Sequence, residues 1–141
     1  MSQEYVIRRV SAAETRPLRR EVLRPHQQLD EVGFAGDEVP GAAHFGAFVD
    51  GELVATATVH PDEGGWRLRG MATRDGFRGK GMGGALVEEC IAHARASGGG
   101  MMWCNARLKA ADFYRRYGFE ARGEVFELPR IGPHVYMWRA L

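Results

Sequence analysis

The chain is expected to fold as an α/β protein of the α+β kind, built on a mixed, mostly antiparallel central sheet of about six to seven strands flanked by helices. Three observations carry that expectation. Residues 43–49 and 52–60 are strand-like runs separated by Asp50-Gly51, a strong hairpin signal because both residues tolerate the positive φ that a two-residue turn requires. A third run, 66–73, follows the turn Asp62-Glu63-Gly64-Gly65 and extends the hairpin into an antiparallel meander. A helix-period stretch then opens near Gly81 and the chain returns as strand over 101–106, an order that allows one parallel pair.

Taken in order, residues 5–9 read as a first strand, and a helix follows from Ala12 or Ala13 to near Arg24, where Pro25 limits it. That helix carries Arg16, Arg19, Arg20 and Arg24, and with acids interspersed the expected reading is a solvated face. Residues 27–41, rich in Gly, Asp, Glu and Pro without periodicity, read as a mobile loop with room for one helical turn. Leu53, Ala55, Ala57 and Val59 alternate with Val54, Thr56, Thr58 and His60, which gives that strand one largely apolar face. Leu86, Val87, Cys90, Ile91 and Ala94 recur at helical spacing, and Ser97-Gly98-Gly99-Gly100 stops their helix. Ala110, Phe113, Tyr114 and Tyr117 define a short amphipathic helix ended by Gly118. Residues 121–128 and 134–139 close the sheet as a hairpin across 129–133.

With 141 residues, the chain is expected to be one domain over 1–141, large enough to bury about two-thirds of its unfolded surface. Hydrophobic residues at 45% and charged residues at 26% place it among globular sequences. A net charge of +1, from 19 basic and 18 acidic residues, argues against nucleic acid or a membrane surface as partner. No apolar run long enough to span a bilayer occurs, and Met1-Ser2-Gln3-Glu4-Tyr5 does not read as a leader. Cys90 and Cys104 show neither disulfide nor zinc spacing, so no metal is expected and a cytoplasmic setting follows.

The stretch from Phe77 to Ala85, Phe-Arg-Gly-Lys-Gly-Met-Gly-Gly-Ala, is the chemically informative one. Its glycines let a ligand approach the backbone, and the helix it opens offers unpaired amides at the positive end of a dipole, a combination that binds phosphate. Arg78 and Lys80 add two cations. A Walker loop is excluded, because Arg74 stands where its first glycine belongs and Gly81 where its hydroxyl belongs. The dinucleotide fingerprint fits at Gly79, Gly81 and Gly84, but Cys104 and Asn105 occupy the place of the ribose-binding acid and the preceding strands are antiparallel.

A third pattern, Arg78-x-x-Gly81-x-Gly83 after the strand-like Leu68-Arg69-Gly70-Met71-Ala72-Thr73, resembles the pyrophosphate loop of the GNAT superfamily of acyl-CoA-dependent N-acetyltransferases, Gln/Arg-x-x-Gly-x-Gly/Ala. Ala110-Ala111-Asp112-Phe113-Tyr114-Arg115-Arg116-Tyr117-Gly118-Phe119 resembles that family's Ala-x-x-Phe-Tyr-x-x-x-Gly-Phe helix. The resemblance covers roughly 43–141, and the tail at 123–137 is similar to a small bacterial single-domain subgroup.

What the resemblance implies is an N-acetyltransferase that moves an acetyl group from acetyl-CoA to a primary amine by direct attack in a ternary complex. Arg78, Gly79, Lys80, Gly81, Met82, Gly83 and Gly84 would hold the pyrophosphate, and Met71, Ala72 and Thr73 the pantetheine arm, with Thr73 where relatives often carry Val. Gly70 marks a bulge or a close approach, and a backbone N–H near Met71 would polarise the thioester carbonyl, a role worth on the order of 3 kcal/mol. Tyr114 matches the general acid, since a phenol with a reference pKa of about 10 keeps its proton at neutral pH; periodicity alone would put it in the core. Asn105 matches a polar position near the pantetheine and equally suits a strand-end cap. Glu124, Glu127, His134, His44 and His60 are candidate bases, with Glu124 and His134 favoured because their segment flanks the family's acceptor groove. Asp37 and Glu38 offer charge for a cationic acceptor.

The partner implied is a small-molecule or peptide amine: a polyamine, an amino acid, an antibiotic or a protein terminus. A homodimer stays open, with Trp66, Trp103 and Trp138 read as core. Neither cysteine has an activating neighbour in sequence, so no acyl-cysteine is expected. The alternative of a different class is a non-catalytic acyl-CoA-binding or regulatory module with the same fold.

Overall fold

Alternating side chains and well-placed turns build the expected sheet. A computed structural model describes residues 4–141; residues 1–3, where no leader is expected, lie outside the described residues. The strands are β1 (Val6–Val10), β2 (Ala43–Val49), β3 (Glu52–Asp62), β4 (Gly65–Thr73), β5 (Met101–Arg107), β6 (Glu120–Ala121), β7 (Phe126–Leu128) and β8 (Gly132–Ala140). They form one sheet in the order β1-β2-β3-β4-β5-β8-β6, with β7 also on β8. Every pairing is antiparallel except β4 with β5. Asp50 and Gly51 take φ of 50° and 79°, the left-handed values their turn demands.

The eighth strand arises because the run expected over 121–128 does not stay continuous. It breaks at 122–125, where Gly123 takes φ of 86°, and its two ends pair with β8 separately.

Two helical layers cover the sheet. On one side lies α2 (Met82–Ala96), whose buried stripe of Met82, Leu86, Val87, Cys90, Ile91 and Ala94 packs on β2, β3 and β4. Each fully buried large apolar side chain there contributes roughly 1.5–3 kcal/mol relative to exposure. Beside it sits α3 (Ala111–Arg115), which buries Ala111 and Tyr114. On the other side lies α1 (Ala12–Leu18), started by a reciprocal cap between Ser11 and Glu14. Pro17 has no N–H to give inside α1, and the chain widens directly afterwards into a π-turn over Arg19–Leu23 before Pro25.

This second layer corrects two expectations. Arg19 is not on a solvated face: it is fully buried, bonds Asp37 through both terminal nitrogens at 2.7 and 2.9 Å, and reaches Thr58 Oγ1 at 2.8 Å and the Val32 carbonyl at 3.2 Å. Residues 27–41 contain one 3₁₀ turn, Leu29–Glu31, are closed on themselves by the Phe34 N–H donating to Asp37, and are tied to the sheet through Asp37, whose carboxylate holds Arg19 on Thr58 and whose carbonyl meets His44 Nε2 at 3.0 Å. Because this layer covers Thr56, Thr58 and His60, β3 is buried on both faces from Val54 to His60.

Among the described residues no helix is long and apolar enough to cross a membrane, and no group of three or more His, Cys, Asp or Glu could hold a metal ion.

Candidate functional site

The sheet opens where its parallel strands meet. Pairing between β4 and β5 is confined to Trp66 with Met102 and Arg67 with Trp103; beyond them the strands separate. On β4 the gap begins beside a bulge, where Gly70 and Met71 together oppose the single residue Ala57 of β3. Gly70 takes φ of 68°, and a Cβ there would press on Phe34 and Arg19. Met71 therefore has no cross-strand partner on either side.

The N-terminus of α2 lies after β4. Its N-cap is Gly81, at φ of 88°, with no side-chain cap and no acid in the first turn. The Ala85 N–H bonds back to the Gly81 carbonyl at 3.1 Å, so the amides of Met82, Gly83 and Gly84 precede the helical ladder and are free to meet an anion. Gly79 has open space where a Cβ would stand. Gly83 and Gly84 have a second role: a Cβ on Gly83 would touch the Phe113 ring, and one on Gly84 would overlap the Tyr117 hydroxyl, so these two admit α3 against α2. Met82 is buried and can offer a ligand only its backbone. Arg78 is exposed, donating to the Thr73 carbonyl at 3.2 Å and pairing with Asp75 at 3.1 Å; Lys80 is exposed beside it. Ala72 is buried and Met71 and Thr73 half-buried.

Tyr114 of α3 is buried in the core, close enough to Cys104 and Arg107 of β5 to feel them, its ring edge-on to Phe113 and Phe119 at 5.2 and 5.7 Å. Burial, helped by Cys104 and Cys90 and opposed by Arg107, raises its pKa far above the ordinary phenol value, so it keeps its proton throughout the working pH range. Burial also pushes Cys104 up to about 12 and raises Cys90, leaving both as inert thiols.

The opposite face of the gap belongs to alternate residues of β5 and β8. Trp103, Asn105 and Arg107 stand across from Trp138, Tyr136 and His134. Trp103 stacks on Tyr136 at 5.6 Å, and the Arg67 guanidinium lies 4.7 Å above Trp103. His134 is buried, stacks on Phe126, and gives its Nδ1–H to the Gly132 carbonyl at 2.8 Å, which leaves Nε2 as the lone-pair nitrogen of the neutral ring. Glu124 is exposed in the break between β6 and β7.

Two of the five candidate bases have structural roles. His44 is buried with Nε2 against the Asp37 carbonyl at 3.0 Å and Nδ1 against Thr58 Oγ1 at 2.8 Å, and burial lowers its pKa. His60 is buried over Gly36, with Nδ1 on the Pro61 carbonyl. Asp37, expected as a lure for a cation, is taken by Arg19: burial alone would raise its pKa, but the bonds from Arg19 and Phe34 outweigh that and lower it.

Residues not offered as site candidates from the sequence also line this face, among them Arg24, which was expected on a solvated face and is half-buried. Arg107 and Arg24 each donate to the Leu23 carbonyl at 3.1 Å, and Arg69 lies 3.9 Å over the Phe34 ring. A signal did exist, since Arg67 and Arg69 alternate with Trp66 and Leu68, which puts two cations on one face of a strand.

A mixed sheet that parts between its parallel strands, above an uncapped helix N-terminus and a protonated phenol, defines the acyltransferase class of α+β folds. The chain belongs to the acetyltransferase (GNAT) family, whose model matches residues 8–119. It is similar to the uncharacterized N-acetyltransferase YitI of Bacillus subtilis, 33% identical over 142 aligned positions that cover 96% of this chain and 95% of that one. Its fold is similar to an acyl-CoA N-acyltransferase from Pseudomonas aeruginosa, at TM-score 0.75 and 27% identity over 99% of this chain and all of the other. A GNAT acetyltransferase from Elizabethkingia anophelis, solved with acetyl-CoA bound, shares the fold at TM-score 0.70 and 15% identity, covering 97% of this chain and 98% of that one.

Proposed function

We propose that this chain, acting as a single domain over 1–141, uses acetyl-CoA to acetylate a primary amine by direct attack within a ternary complex. The observation that carries the reading is the gap between β4 and β5, set beside the uncapped first turn of α2. Pyrophosphate suits that turn, where free amides, the helix dipole and the cations of Arg78 and Lys80 converge. Met71, Ala72 and Thr73 lie along the open edge of β4 and suit the pantetheine arm; Asn105 faces the gap from β5.

When bound, acetyl-CoA supplies a thioester carbonyl for attack and a thiolate that must be protonated. The backbone of Met71, which the bulge leaves without a register partner, is suited to donate to developing charge on an oxygen. Tyr114 holds its proton on Oη and is suited to give it to sulfur. His134 Nε2, directly or through a water, is the better placed of the two favoured bases, because Glu124 stands out in solvent. The raised thiol pKa values support a route with no acyl-cysteine. Two free, buried cysteines also fit a reducing, cytoplasmic setting.

The test compares acetyl-CoA, CoA and NAD by thermal shift, then follows thiol release over a panel of amines. Acetyl-CoA and CoA at about 100 times their Kd should each add roughly 2.7 kcal/mol while NAD adds nothing. Stabilisation by NAD alone, or by none of the three, refutes the proposal. Thiol release with any amine removes the alternative of a non-catalytic module, and CoA binding without turnover on every amine would establish it.

A further inference from the structure

Seventeen of the 19 basic residues are arginines and the chain is close to neutral as a whole at +1, yet some of the cations on the face of the gap opposite α2 stand without matching acids. Arg67 has Asp62 at 3.7 Å, Arg74 has Glu21 and Glu52, Arg78 has Asp75, Arg115 has Asp112, and Arg19 has Asp37. Arg24, Arg69 and Arg107 have no carboxylate within ion-pair distance among the described residues. All three are half-buried.

Their placement is convergent. Arg24 comes from the end of the π-turn and Arg107 from the end of β5, and both guanidinium groups donate to the same oxygen, the Leu23 carbonyl, at 3.1 Å each. Two like charges meeting on one neutral acceptor repel each other, and an anion between them would relieve that repulsion. Arg69 approaches from β4. The Phe34 ring holds it at 3.9 Å, and the same ring carries Arg19 at 3.9 Å, so Arg69 is fixed in direction while its donors find no acceptor among the described residues. The charges act on one another: burial first, then Arg67, Arg19 and Arg24, bring Arg69 down to about 10, and burial followed by Arg107 lowers Arg24. The one acid close to Arg69, Asp37, is already engaged twice by Arg19.

A polycationic acceptor would have to enter this field against three uncompensated charges. We propose that the acceptor is an amine that also carries a carboxylate, and that Arg24, Arg69 and Arg107 hold the carboxylate while the amine faces the gap. A planar carboxylate matches the paired donors of a guanidinium, and such charge-assisted bonds are the strong ones. This inference rests on the acetyl-transfer reading above and narrows its acceptor to one class.

The experiment measures thiol release with matched amine pairs that differ only in the carboxylate: lysine against cadaverine, ornithine against putrescine, and phenylalanine against phenethylamine. The expected result is kcat/KM at least about 10-fold higher for the carboxylated member of the pairs that turn over, chiefly through KM, since a bond to a charged group is worth roughly 10-fold or more. In R69Q and R24Q the ratio should collapse toward one, with CoA-induced stabilisation retained as the sign of a folded protein. Equal rates within pairs, or a preference for the diamines, overturn the proposal. A lysine dipeptide used against free lysine separates a free amino acid from a peptide as the source of the carboxylate.

A second readout does not depend on turnover. Calorimetry with CoA present should find that N-acetyl-lysine binds and its C-terminal amide binds at least about 10-fold more weakly, a difference absent in R69Q. Equal binding of acid and amide overturns the carboxylate site. Failure of every amine to turn over while the acid is still preferred would refute the acetyl-transfer reading and leave the anion site standing.

Discussion

The α1 side of the sheet and the gap between β4 and β5 treat polar groups in opposite ways. On the α1 side most are answered from within the chain, with Arg16 Nε, Arg19 Nε and His60 Nε2 as buried exceptions. Ser11 and Glu14 close the first turn of α1 reciprocally, and Arg19, Asp37, Thr58 and His44 form a continuous buried network. At the gap, the first turn of α2 has neither cap nor acid, Met71 lacks a strand partner, and three arginines lack carboxylates. The lesson is that an open helix start, a bulged strand and cations without acids, brought together at one place, mark where a ligand belongs.

The largest way to test this contrast is to break the satisfied side. D37A leaves Arg19 buried and unpaired and should cost about 3–5 kcal/mol in urea unfolding, because a stranded interior charge is expensive. Next is Y114F, expected to lower kcat about 100-fold or more while CoA-induced stabilisation stays within error, since it removes a proton donor from the gap and nothing from the phosphate turn. In G81V a β-branched side chain must adopt φ near 88°, and the roughly 2.7 kcal/mol stabilisation by saturating CoA should disappear; retained stabilisation would remove the turn from the phosphate site. S11A should cost about 1 kcal/mol in unfolding with CoA binding untouched, a purely structural loss at the other helix start.

The smallest effect concerns pH. His44 has a folded pKa below its reference value of 6.5, so its contribution is fully present above pH 6.5 and lost as pH falls toward the folded value. Asp37, lowered below 3.8, stays charged through that window. Unfolding free energy measured at pH 7 and pH 5 should therefore drop in the parent, and the drop should shrink in H44Q.

Much of the fold was legible because local chemistry announced it. Asp50-Gly51 could form only a tight turn between two alternating strands, and the glycines before α2 marked both a helix start and a bare backbone. Gly70 stood at the bulge where a glycine inside a strand suggested one. Arg19 could not be told from Arg16, Arg20 and Arg24, because what sets it apart is Asp37, eighteen residues on and brought near only by the tertiary fold. The same holds for Arg107, whose meaning comes from the Leu23 carbonyl 84 residues earlier. His44 and His60 looked as eligible as His134, and all three are buried; what sets His44 apart is that both its ring nitrogens are taken, by Thr58 and by the Asp37 carbonyl, partners that only the tertiary fold supplies.

Two residue pairs, Trp66 with Met102 and Arg67 with Trp103, are all that stitch β1 to β4 onto β5 to β8 within the sheet. Such a seam divides the molecule into panels that can breathe independently, with α2 as the binding along their spine. Amide exchange at 104–107 should then proceed through small local openings well below the free energy of global unfolding. A ligand seated in the gap would act as the missing rung, slowing exchange on both panels together and making them open as one.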